Sequence, residues 1–204
     1  SLADISSGKL VFTPAANANG AGYASFTFQV QDDGGTANSG VDLDASARTM
    51  TVDVTSVNDA PVGTNNTVTT LEDNAYTFTA ADFGFTDPTD AGSVAGANAL
   101  TAVKITTLPG AGTLQDNGVN VTAGQFVSLA DINAGKLVFT PAANANGAGY
   151  AAFTFQVQDD GGTANAGVDL DATPRTMTVN VTSVNDAPVG TNNTVTTLED
   201  TAYT

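Results

Sequence analysis

Cysteine, histidine and tryptophan are absent from this sequence, and basic residues are scarce. Without thiols there are no disulfides. Without imidazole as well, zinc sites of the usual nitrogen and sulfur type and both Ser-His and Cys-His nucleophile pairs are excluded. Five Lys and Arg stand against 21 Asp and Glu, a net charge of -16. A surface so acidic repels phosphate backbones and anionic headgroups, which excludes nucleic acid as a partner and makes cations the natural ones. No apolar run approaches the roughly 18 residues of a membrane span, so no membrane insertion is expected of this stretch. Sustained 3.6-residue periodicity is missing too, which leaves strands as the main regular element.

What the chain has in abundance is itself. Residues 1–77 read again as residues 128–204 with eight differences. A catalytic centre rarely needs near-identical copying along one chain, whereas length and valency do. Taking Ala60-Pro61 and Ala187-Pro188 as equivalent seams divides the chain in three. Residues 1–60 are the back part of a preceding module, residues 61–187 are one complete module, and residues 188–204 are the first strand region of the next. Only the middle unit is expected to build a full core.

Apolar and polar residues alternate with a period of two over residues 25–31 and 49–55, each with one face for a core and one for solvent. Shorter runs at residues 9–13, 68–71, 76–79, 101–106 and 126–129 behave similarly, separated by Gly, Asn, Asp and Pro clusters. The expected fold is all-β, a sandwich of antiparallel strands in tandem modules. The differences between the copies agree. Ser25/Ala152 and Asp53/Asn180 fall on outward strand positions, the rest fall in turns, and none touches Phe26, Phe28, Val30, Met50, Val52 or Val54.

The acids gather between strands. Asn58 and Asp59 lie at the seam, Asp87 and Asp90 follow the second strand, and Asp159 and Asp160, with their copies Asp32 and Asp33, follow the next-to-last strand. In a sandwich whose strands run up and down, Asn58, Asp59, Asp87, Asp90, Asp159 and Asp160 emerge at one pole. Carboxylates crowded without Lys or Arg repel one another, and a hard divalent cation relieves them. Calcium suits such a site because it accepts about six to eight oxygen ligands in adaptable geometry, whereas magnesium demands a tighter octahedron. Glu72 and Asp73 belong at the opposite pole, beside the outgoing linker Asn185-Asp186, so each junction would combine acids of one module, the linker and the next module. Asp and Asn are also ordinary turn residues, and a plain turn accounts for residues 159–162 equally well. Asp169 and Asp171 read as solvated loop acids, and Asp4, Asp82, Asp116 and Asp131 as surface or turn residues.

The seam Thr55-Ser56-Val57-Asn58-Asp59-Ala60-Pro61-Val62, the following Leu71-Glu72-Asp73, and Lys136-Leu137-Val138-Phe139-Thr140-Pro141 leading to Phe153-Thr154-Phe155-Gln156-Val157-Gln158-Asp159 carry a resemblance. The whole chain resembles the cadherin-like and VCBS-type tandem repeats, or extender modules, of large bacterial RTX adhesins. Its most specific element, Val-Asn-Asp-Ala-Pro-Val, returns at residues 184–189. The resemblance implies an Ig-like or cadherin-like sandwich on the outside of a Gram-negative cell, exported by type I secretion. In such proteins calcium at the junctions stiffens a stalk, other domains meet the host or surface ligand, and the whole serves attachment and biofilm formation. The linker here has one Asn fewer than the animal cadherin motif, and neither the glycine-rich RTX nonapeptide nor an EF-hand loop is present.

The leading expectation is therefore a calcium-stiffened extracellular spacer, with neighbouring modules as partners through Ca2+, and not an enzyme. A weak multivalent carbohydrate- or protein-binding module is the alternative, disfavoured by the absence of Trp and a total of four Tyr, of which Tyr23, Tyr76 and Tyr150 sit in or beside strands. A self-assembling surface filament is a further alternative. A glycosidase pair built on Glu72 matches the acids less well than turns or metal do.

Overall fold

In a computed structural model describing residues 1–204, the period-two stretches fold as strands, and one copy of them acquires a second sheet. The first copy contributes a short helix α1 (Leu2–Ser6) and a hairpin of β1 (Gly20–Phe28) and β2 (Arg48–Val54). The middle of the chain adds β3 (Asn66–Leu71), β4 (Tyr76–Thr77), β5 (Leu100–Ile105), β6 (Thr113–Asp116), β7 (Val119–Asn120) and β8 (Phe126–Ser128). A helix α2 (Leu129–Asn133) leads to β9 (Leu137–Thr140), β10 (Gly147–Asp159) and β11 (Arg175–Thr182). Residues 183–204 form no strand.

Two sheets face each other, one of five strands in the order β3-β11-β10-β5-β8 and one of four in the order β4-β9-β6-β7. Pairing is antiparallel except between β11 and β3, which run parallel from Met177↔Asn66 to Thr182↔Leu71. The fold is all-β, as the alternation predicts. Inward residues of β10 and β11 (Phe153, Phe155, Val157, Met177, Val179) meet Phe78, Phe83, Leu114, Leu137 and Phe139 in one core. Phe83 stacks edge-on against Phe155 at 4.9 Å, and Phe78 against Phe153 at 5.5 Å, so aromatic pairs tie the layers together. Every member of that core lies between Val68 and Val181.

Three local expectations need correction. Residues 9–13 are not a strand in the first copy, although their counterpart is β9. The partners of β9 are β4 and β6, which come from residues 76–116 of the complete sandwich. The hairpin β6–β7 was not foreseen; it turns at Asn117-Gly118, both with positive φ, the conformation a tight two-residue turn requires. Helix α2 was not foreseen either, being too short to set up a period; Ser128 caps it by accepting from the Asp131 N–H.

Candidate metal centre at the incoming pole

The linker before β3, the loop after β4 and the loop after β10 come together at one pole. Asn58 is the hub: its Nδ2 donates to Asp159 Oδ1 (3.1 Å), Gly162 O (3.2 Å) and Val168 O (2.7 Å). Its backbone carbonyl accepts from the Val168 N–H at 2.9 Å. Its Oδ1 accepts from Asn98 Nδ2. The chain can close this tightly because residue 161 is Gly; a Cβ there would overlap the Asn58 and Asn98 amides.

Around this hub lie Asp87, Asp90 and Asp159, each no more than 6% exposed. Asp87 Oδ2 accepts from the Asn98 N–H (2.6 Å) and Oδ1 from the Asp90 N–H (3.4 Å). Asp90 Oδ2 accepts from the Asp59 N–H at 2.8 Å, which ties the linker to the loop. Asp159 Oδ1 accepts from the Gly161 N–H at 2.9 Å, while its Oδ2 is buried without any partner. Burial pushes the Asp159 carboxyl above the usual carboxylate range; hydrogen bonds from Gly161 and Asn58 oppose this, and the charges of Asp87 and Asp169 add to it. The five cations of the chain are engaged elsewhere: Lys9 pairs with Asp4, Arg48 with Asp44, Lys136 with Asp131 and Arg175 with Asp171, and Lys104 lies over the Phe126 ring.

The expected convergence of Asn58, Asp87, Asp90 and Asp159 is thus present. Asp160 turns away and accepts from the Ala99 N–H at 2.7 Å. Asp59 lines a neighbouring cleft of about 340 Å³ shared with Asn17, Asn19 and Asp90. Asp32 and Asp33, in the first copy, are exposed, and Asp32 caps its own turn at Gly34. At the opposite pole Glu72 is buried. It accepts from Asn146 Nδ2 (2.8 Å) and from the Val184 N–H of the outgoing linker. Asp73 accepts from the Asn144 N–H at 2.9 Å, whereas Asn185 and Asp186 are exposed.

Whether these residues suit a cation is decided by their donors. All are oxygens, three carboxylates are shielded from water, and one buried oxygen is unpartnered, which is the chemistry a hard ion relieves. A cavity of about 130 Å³ opens among Asn58, Asp90, Asn98 and Gly161. As it stands, no group of three or more acids is arranged to hold a metal ion; N–H groups and amides occupy several of the oxygens instead. Asn98 is the member that sequence reading missed, since a single Asn in a loop of small residues carries no pattern of its own.

One reading fails outright. Asp171 is not a solvated loop acid but 2% exposed. It accepts from Arg175 Nε (2.8 Å) and Nη2 (3.1 Å), from the Gly63 N–H (2.9 Å) and from the Thr173 N–H (3.0 Å). Burial raises its pKa, but those four donors outweigh that and hold the carboxyl below its ordinary value.

A family model described as a bacterial Ig domain matches residues 58–171. That is more than half of the chain, and the chain belongs to this family. No curated protein and no solved structure matches it. The matched span opens on Asn58 and closes on Asp171, so it contains the whole acidic pole and the carboxylate that accepts from the Gly63 N–H of the incoming segment.

Proposed function

We propose that this chain is part of a calcium-stiffened spacer in a large bacterial surface adhesin, a cadherin-like module repeated to hold an adhesive domain away from the cell in attachment and biofilm formation. The observation that carries the reading is the buried acid group at the incoming pole: Asp87, Asp90 and Asp159 with no cation paired to them and one oxygen of Asp159 unsatisfied. Asp87, Asp90 and Asp159 would hold Ca2+ together with the Asn58 amide oxygen and the Asp59 carboxylate. The ion would supply the positive charge that this acidic pole lacks. Linker and loops already meet there through Asn58 and Asp59, so neutralising the acids would fix the linker against the sandwich and restrict its swing. Bacterial Ig domains are structural modules, and a role in spacing fits near-identical tandem copies. No helix of the chain is long and apolar enough to cross a membrane.

The test is calorimetric titration of the chain with CaCl2, paired with small-angle scattering of a protein of two or three modules with and without chelator. Saturable binding that Asp87→Asn and Asp159→Asn weaken, with a longer and stiffer particle in calcium, is the expected result. A maximum dimension indifferent to chelation would sink the proposal.

A further inference from the structure

Residues 1–60 and their counterparts 128–187 differ in burial, and almost everywhere the first set is the more exposed. Outside the linker at Ser56 and residues 58–60, there are two exceptions. Asn19 is half-buried where Asn146 is exposed, and Gly20 is buried where Gly147 is half-buried. Something covers the turn at Asn19-Gly20 that does not cover its counterpart. It is the loop of the following module: Asn19 Oδ1 accepts from the Val94 N–H at 2.9 Å, and a Cβ on Gly20 would meet Val94 Cγ1 at 3.8 Å. Val94 is otherwise 73% exposed, a large apolar side chain at the tip of a loop with no other task in its own core.

The equivalent Asn146 uses the other end of its amide. Its Nδ2 donates to Glu72 Oε2 at 2.8 Å, and the second oxygen of Glu72 accepts from the Val184 N–H. The two bonds employ different atoms of one side chain, so a single Asn between two complete modules can make both at once. We infer that this Asn, seen as Asn19 on one side and Asn146 on the other, is a metal-independent latch between consecutive modules. Its donor end grips the glutamate that holds the outgoing linker, and its acceptor end receives the Val94 loop of the next copy. Only a carboxamide serves both ends. Asp would turn a carboxylate toward Glu72, and Ala would make neither bond. The partner is a further copy of the same repeat in the same chain. This rests on the tandem-spacer reading for its setting but not on calcium.

The test is amide hydrogen exchange by NMR on the 204-residue chain in chelator, comparing wild type with Asn19→Ala. The Val94 amide is expected to exchange about tenfold faster in the variant, with Val103 and Phe155 unchanged. A cross-peak between the Val94 methyl and Gly20 Hα should vanish with it. Equal Val94 exchange in both proteins, with the core amides intact, would overturn the latch. So would protection of Val94 that arises only after calcium is added, and that result would leave the calcium spacer standing. Calcium failing to bind while Val94 stays protected would sink the spacer mechanism and keep the latch.

Discussion

Residues 1–60 and 128–187 are nearly the same sequence in two settings, and the contrast separates what a segment specifies alone from what its surroundings supply. The hairpin forms in both with the same register, Phe26↔Met50 in one and Phe153↔Met177 in the other, including the irregularity beyond Gly20 and Gly147. The helix caps also match, Ser1 with Asp4 and Ser128 with Asp131. Burial does not match. Val30 is 61% exposed and Met50 46%, while Val157 and Met177 are fully buried. Strand β10 continues to Asp159 where β1 stops at Phe28, because β5 lies alongside residues 155–159. Pattern and turn chemistry are local; the apolar contribution to stability appears only when residues 61–127 supply β4, β6 and β7, which complete the facing sheet around β9.

Paired substitutions at equivalent positions turn that contrast into numbers. The largest effect is expected for Phe153→Ala, which should cost about 3–5 kcal/mol in denaturant unfolding, against about 1 kcal/mol or less for Phe26→Ala. Equal costs would mean that the first copy is packed in solution as the second is. Asp171→Asn comes next, at about 2 kcal/mol through the lost charged hydrogen bonds; Asp44→Asn, whose Arg48 partner is exposed, should leave the midpoint in place. The pH dependence follows from the sign. The folded pKa of Asp171 is depressed below 3.8, so its contribution is full above that value and fades as pH falls through the folded one. Acid unfolding below about pH 4 should therefore flatten in the variant. Gly161→Ala should cost about 1–3 kcal/mol by displacing Asn58, whereas at Gly34 an added Cβ meets only Asp32 and thermal melts should barely move. The smallest effect has the opposite sign. Asp159 has a raised pKa, so its charge penalises the fold increasingly as pH rises through the folded value. Asp159→Asn should modestly raise the metal-free melting temperature at neutral pH and remove any gain from calcium, while Asp32→Asn does neither.

Strands that alternate strictly, such as β10 and β11, were legible from sequence because period two and burial on one face are the same fact. The pole was legible in outline, since Asn58, Asp87, Asp90 and Asp159 all precede or follow strands that end together. Three features were not. Asn98 joins the group through amide contacts with Asn58 and Asp90 that no spacing announces. Asp171 looks like any loop acid until Arg175 and the Gly63 N–H close on it from positions four and 108 residues away. Asp160 sits beside Asp159 yet accepts from the Ala99 N–H instead of joining the acid group, because adjacent residues point to opposite sides of an extended chain.

The parallel pairing of β3 with β11 governs how the module meets a pulling force. The first and last strands of the five-stranded sheet lie side by side and point the same way, matched over six residue pairs from Asn66 to Leu71. The chain therefore comes in at one end of the sandwich and leaves at the other, and tension between its ends slides the two strands along each other. Every rung of that ladder is loaded together instead of being peeled one after another, so rupture under tension requires the ladder to yield as a block.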